Sequence, residues 1–109
     1  MPTFTVEASG TQTATIGTEH TLSTPTNNGA YELNVDGNAL VLGDILELRI
    51  YDKIDGTNYR QIWKASYGPV PPICPGKASP PKPITVQGKF TLKQIAGTGR
   101  AFPWELRRA

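Results

Sequence analysis

The chain has 109 residues, 38% of them apolar, and a formal net charge of +2. That length suits one domain, and no run approaches the roughly 18 consecutive apolar residues of a membrane span. The single cysteine, Cys74, excludes an internal disulfide, and the opening MPTFTVEASG has neither the basic start nor the apolar stretch of a secretory signal.

In chain order, TFTVEA and TQTATIG are Thr-rich and alternate like strands, with Ser9-Gly10 expected as the turn between them. Leu22 closes a short strand in TEHTLS, and Pro25 with Asn27-Asn28-Gly29 marks a loop. AYELNVD alternates Tyr31, Leu33 and Val35 against Glu32 and Asn34. DGNALVLGD has the length of a turn, with Ala39, Leu40 and Leu42 expected to pack inward. ILELRIYDK is the clearest strand: Leu46, Leu48 and Ile50 share one face, and Glu47, Arg49 and Lys53 the other.

A turn at Asp55-Gly56 leads into YRQIWKASY, where Tyr59, Gln61, Trp63, Ala65 and Tyr67 are expected on one face. From Pro69 to Pro83 lie seven prolines, which forbid a helix or a central strand. Residues 68–83 therefore read as an extended, proline-rich loop or arm. ITVQGKFTLKQI resumes the strand pattern with Phe90 and Leu92 inward, and RAFPWELRR closes it with Phe102, Trp104 and Leu106 inward. The predicted fold is all-β. It is one β-sandwich domain over residues 1–109, jelly-roll or Ig-like, with about seven or eight short antiparallel strands.

Charge is divided along the chain. Residues 1–55 hold eight acids and two bases, and residues 56–109 hold nine bases and one acid. Either the halves pair across strands inside the domain, or they form a polar molecule that docks on copies of itself or on a charged surface. The bases are spread over several segments beside an acidic half, which argues against nucleic acid as a partner.

The motifs that carry chemistry are weak. Gly97-Thr98-Gly99-Arg100 asks whether it cradles a phosphate. A dinucleotide turn needs a third glycine where Phe102 stands and a helix where Pro103-Trp104 stands, so Gly97 and Gly99 read as positive-φ residues of a tight hairpin turn. His20 is the sole histidine, which leaves no histidine cluster for a metal, and no nucleophile motif supports a triad of Ser23, His20 and Asp36. Cys74 in PPICPG has no histidine nearby, and Asp52–Asn58 lacks the spacing of a calcium loop. Tyr31, Tyr51, Tyr59, Trp63 and Tyr67 could serve a sugar-binding face or the core and its rim. No catalytic residue, cofactor or metal ligand is assigned, and the chain is not expected to be an enzyme.

TEHTLSTPTNNGAYELNVDGNALVLGDILELRIYDKI and FTLKQIAGTGRAFPWELRR together resemble a family of small proteins encoded among the head genes of tailed bacteriophages. The likeness runs from about Thr18 to Arg108, and LGD-x-LELRIYDK, TLKQ-x-AGTGR and FPW are its most specific pieces. It implies a virion structural protein, a capsid decoration or cement subunit on the head surface, made in the host bacterial cytoplasm. The implied partners are the major capsid protein and copies of the chain, as a homotrimer, with no nucleic acid and no membrane. The contact residues expected are Pro71, Pro72, Ile73, Pro80 and Pro81 of the arm, with Arg107 and Arg108 at the chain end. Excising 69–83 is expected to leave a folded domain. The alternative role is a carbohydrate- or receptor-binding sandwich of a phage tail or fibre.

Overall fold

A computed structural model describes residues 4–68 and 76–109, with the backbone alone at 76–78. Its described strands are β1 (Thr5–Thr13), β2 (Glu19–Ser23), β3 (Gly29–Asp36), β4 (Ile45–Asp52), β5 (Arg60–Tyr67), β6 (Gly76–Ala78), β7 (Lys82–Ile84), β8 (Gly88–Ala96) and β9 (Ala101–Arg108). They form two antiparallel sheets, one ordered β1-β9-β3-β6 with β7 also on β3, the other ordered β2-β8-β4-β5. The sheets pack into a β-sandwich.

The pairing is nested. β4 with β5, β3 with β6 and β7, β2 with β8, and β1 with β9 are successive rungs of one long hairpin. Its tip is the turn at Asp55-Gly56, where Gly56 takes φ 81°. Two further pairings, β9 with β3 and β8 with β4, roll that hairpin into the two layers.

Alternation places the core as the sequence predicts. Leu33, Leu46, Leu48, Ile50, Phe90, Leu92, Phe102 and Leu106 are all buried, joined by Tyr31, Val35 and Ile84. Each such side chain contributes about 1.5–3 kcal/mol by leaving water. The Tyr31 ring packs at a tilt against Phe90, with centroids 5.8 Å apart. Its hydroxyl donates to the Asn27 carbonyl at 2.6 Å, which satisfies the polar end of a buried ring. Trp104 is only half-buried, packed against the core's margin.

Four local expectations change. Ser9-Gly10 is no turn: β1 runs unbroken through it because β9 offers a continuous partner from Ala101 to Arg108. Gly10 sits where the Trp104 indole crosses β1, and a Cβ there would meet Nε1 at 3.4 Å. Gly97–Arg100 joins β8 to β9 across the two sheets, so it is a crossover and not a hairpin turn. Gly97 has φ 92°, whereas Gly99 lies outside the positive-φ set; its constraint is close approach to the Ala14 carbonyl. Leu42 points out to solvent, since the 37–44 turn already fills its inward place with Leu40. Tyr59 precedes β5, and Gln61 is exposed rather than sharing the inward face of Trp63 and Tyr67.

Candidate functional site

The crossover that resembles a phosphate cradle is a cradle for the chain's own carboxylate. Asp44, at the end of the loop between β3 and β4, is buried and accepts three hydrogen bonds. Val41 N–H donates to Oδ2 at 3.0 Å, Thr98 N–H to Oδ1 at 3.2 Å, and Arg100 Nε to Oδ2 at 3.0 Å. Burial pushes the Asp44 carboxyl up, but the Val41, Arg100 and Thr98 donors outweigh it and hold the group below its ordinary value. Gly97 is required here twice over, because a Cβ would run into the Asp44 side chain and φ is positive.

Gln94 completes the knot from inside β8. Its amide donates to the carbonyls of Ala96 at 3.1 Å and Thr98 at 2.7 Å, and its oxygen accepts from Arg100 N–H at 3.0 Å. Two backbone bonds tie in the β1–β2 loop: Ala14 N–H to the Arg100 carbonyl at 2.8 Å and Gly17 N–H to the Gln94 carbonyl at 2.9 Å. Three loops are thereby locked together at one end of the sandwich. From them project Leu42, Val41 and Ile16, which are 76%, 45% and 40% exposed. These three exposed aliphatic side chains thus stand on loops tied to one another by a buried hydrogen-bond network.

A second polar feature covers the outer face of the β2-β8-β4-β5 sheet. Glu47 is buried between Arg49, at 2.8 Å, and Lys64, at 3.2 Å. Arg49 also reaches Glu19 at 3.2 Å, and Glu19 accepts from the hydroxyls of Tyr51 at 2.7 Å and Thr91 at 2.6 Å. Burial raises both glutamates; hydrogen bonds and the neighbouring cations overcome it, so both lie below the ordinary carboxylate value. Beside them Lys89 sits over the rings of Tyr51 and Tyr59, at 4.6 and 4.8 Å, and Lys53 over Tyr59 at 4.8 Å.

These contacts decide the charge question in part. Arg100 with Asp44, Lys64 with Glu47 and Arg107 with Glu32 each join the basic half to the acidic half within one molecule. No family model, curated protein or solved structure matches the chain.

Of the expected contact residues, Pro71, Pro72 and Ile73 lie outside the described residues, as does Cys74. Pro80 and Pro81 are exposed on one flank of β3, between β6 and β7. Arg107 and Arg108 lie on its other flank, opposite Glu32 and Tyr31. Both arginines are engaged internally: Arg107 with Glu105 and Glu32, and Arg108 through Nε to the Asn28 carbonyl at 2.8 Å. The second half of the arm is docked on its own domain, with Asn34 opposite Ala78 and Tyr31 opposite Lys82. Ser79 bridges the gap between the two short strands. Its N–H donates to the Leu33 carbonyl at 2.8 Å and its Oγ accepts from Leu33 N–H at 2.9 Å. Excising 69–83 would strip this edge from β3, so that deletion is no clean test of an arm.

The remaining chemical candidates are spoken for. His20 Nε2 accepts from Thr15 N–H at 3.1 Å, and Asp36 accepts from Asn38 N–H at 2.9 Å, so the conceivable triad is not assembled. Asp55 spends its carboxylate on Thr57 N–H, Asn58 N–H and the Asn58 amide, and those bonds lower it to about 2. Among the described residues no group of three or more His, Cys, Asp or Glu side chains is placed to hold a metal. The five aromatics do not share one face: Tyr31 is core, Trp63 and Tyr67 pack on the core, and Tyr51 and Tyr59 meet Lys89 at the outer network. Sequence reasoning missed Asp44 and Ser79. The available signals were a glycine-rich turn, which presents N–H donors to any anion, and a serine ahead of two prolines.

Proposed function

We propose that this chain is a structural subunit of a tailed-bacteriophage particle, of the capsid-decoration type, working through protein–protein contact. The observation that carries the reading is the exposure of Leu42, Val41 and Ile16 on the three loops that the Asp44 and Gln94 hydrogen bonds tie together. Loops already tied together lose little conformational freedom on docking, so weak apolar contacts repeated over a lattice add up to firm retention. The sequence resemblance supplies the kind of particle.

The fold is best read as a jelly roll rather than an Ig-like sandwich. The orders 1-9-3-6 and 2-8-4-5 are those produced by rolling one long hairpin, the architecture that recurs in viral capsid and lectin domains. Fold alone does not assign function. The glycan-binding alternative would draw on Tyr51 and Tyr59, whose rings are covered by Lys89 and Lys53, and on Trp63, which packs against the core.

The test is retention on gradient-purified particles of the phage that encodes the chain. Wild-type protein should co-migrate with particles, and the double variant Val41→Ser, Leu42→Asp should fold but be lost from them. Absence of the wild type from particles, or full retention of the folded variant, would overturn the proposal.

A further inference from the structure

We infer that β1 is a self-association edge, pairing antiparallel with β1 of a second copy about a two-fold axis at Thr11. A sheet edge presents unpaired N–H and C=O groups, and proteins blunt such edges with short strands, prolines, bulges or lysines. Among the described residues the two sheets have four edges. β6 and β7 have three residues each and are flanked or interrupted by Pro80, Pro81 and Pro83. β2 has five residues and a register shift between Thr21 and Ser23. β5 carries Arg60 and Lys64.

β1 shares a register shift with β2 but carries none of the other devices. It has nine residues with no proline, lysine or arginine, and among the described residues no strand lies beyond it. Its one charge, Glu7, sits at the register shift between Val6 and Ala8. The stretch from Ala8 to Thr13 is uncharged, with Ser9, Thr11 and Thr13 exposed on the face opposite Trp104.

A second copy is the occupant this edge fits, because the stretch is self-complementary. A two-fold axis through the sheet requires residues of the same parity to oppose each other, so that each face continues across the joint. Centred on Thr11, the outer face sets Ser9 against Thr13 of the partner subunit, and Thr11 against its own counterpart. Hydroxyl pairs of that kind stabilise cross-strand contacts. The inner face sets Gly10 against Gln12, and the two copies' Glu7 carboxylates fall apart instead of facing each other. One strand–strand joint covers less area than a standard interface of about 1,200–2,000 Å², so it is weak alone and gains strength where copies are arrayed. Being isologous, it closes at two copies, which sets it apart from a three-fold ring.

The test uses purified full-length chain and is independent of any particle. In a Cys74→Ser background, Thr11→Cys should form a disulfide-linked dimer under mild oxidation several-fold faster than Gln61→Cys on the β5 edge. Opposed Cα atoms in an antiparallel pair lie about 4.5–5.5 Å apart, within the span a disulfide bridges. Sedimentation of the native chain should show the average mass rising toward two copies with concentration. Thr11→Lys, with the same β-type spectrum and thermal midpoint, should stay at one copy. Should Thr11→Lys lose the fold, Ser9→Lys takes its place under the same criterion. Equal cross-linking at the two edges, a native mass that stays at one copy or settles at three, or undiminished association of a folded lysine variant would each overturn the inference.

Discussion

Arg100 Nε donates to Asp44 Oδ2 at 3.0 Å across a separation of 56 residues, and the crossover between the two sheets is built around that bond. Removing Asp44 should therefore cost more than an ordinary loop substitution. Asp44→Ala leaves Arg100 without its partner and the Val41 and Thr98 N–H groups without acceptors. We expect a loss of about 3 kcal/mol in urea unfolding, in line with breaking a largely buried pair. Asp44→Asn keeps an acceptor oxygen and should lose less. Equal, small losses for both would remove the knot from the account of these loops.

Gly97 and Gly43 separate backbone strain from steric exclusion. Both have positive φ, 92° and 94°, but only at Gly97 would a Cβ meet neighbouring atoms, those of Asp44. Gly43→Ala should cost about 1–2 kcal/mol from conformation alone. Gly97→Ala should cost clearly more, and thermal melts of the two variants side by side would check the order.

Acid should loosen the molecule. Asp44, Glu47 and Glu19 all have folded values held below their ordinary 3.8, 4.5 and 4.5. A depressed carboxyl stabilises the fold fully above its unfolded value, and that contribution is lost as pH falls through the lower folded value. Stability should be flat from neutral pH down to about 4.5 and then decline. Asp44→Asn should shallow the decline. A loss of stability already complete above pH 5 would contradict these assignments.

Aromatic truncations should rank by burial. Phe102 is fully buried on β9, and Phe102→Ala should cost about 3–5 kcal/mol. Trp104, two residues on and half-buried, should cost less, because water and the chain near Gly10 can fill part of its place. A Trp104→Ala loss equal to that of Phe102→Ala would mean that the indole is core.

What the sequence by itself determined is everything that depends on period and local turn chemistry. Alternation through Leu46, Leu48 and Ile50 fixes the inward face of β4, because successive side chains of a strand must point to opposite sides. Asp55-Gly56 fixes the β4–β5 turn, because a short carboxylate can bind the N–H groups just ahead of it and glycine accepts φ 81°. Tertiary structure alone decided the rest. Whether Ser9-Gly10 breaks a strand depended on β9 lying alongside. Gly97–Arg100 became a cradle because the pairing of β4 with β8, Ile45 opposite Ala96, brings Asp44 alongside it. The prolines after Ala78 docked instead of wandering because Ser79 could bond both backbone groups of Leu33. In each case the deciding partner is tens of residues away, and a donor or an edge in the sequence does not record which distant group will satisfy it.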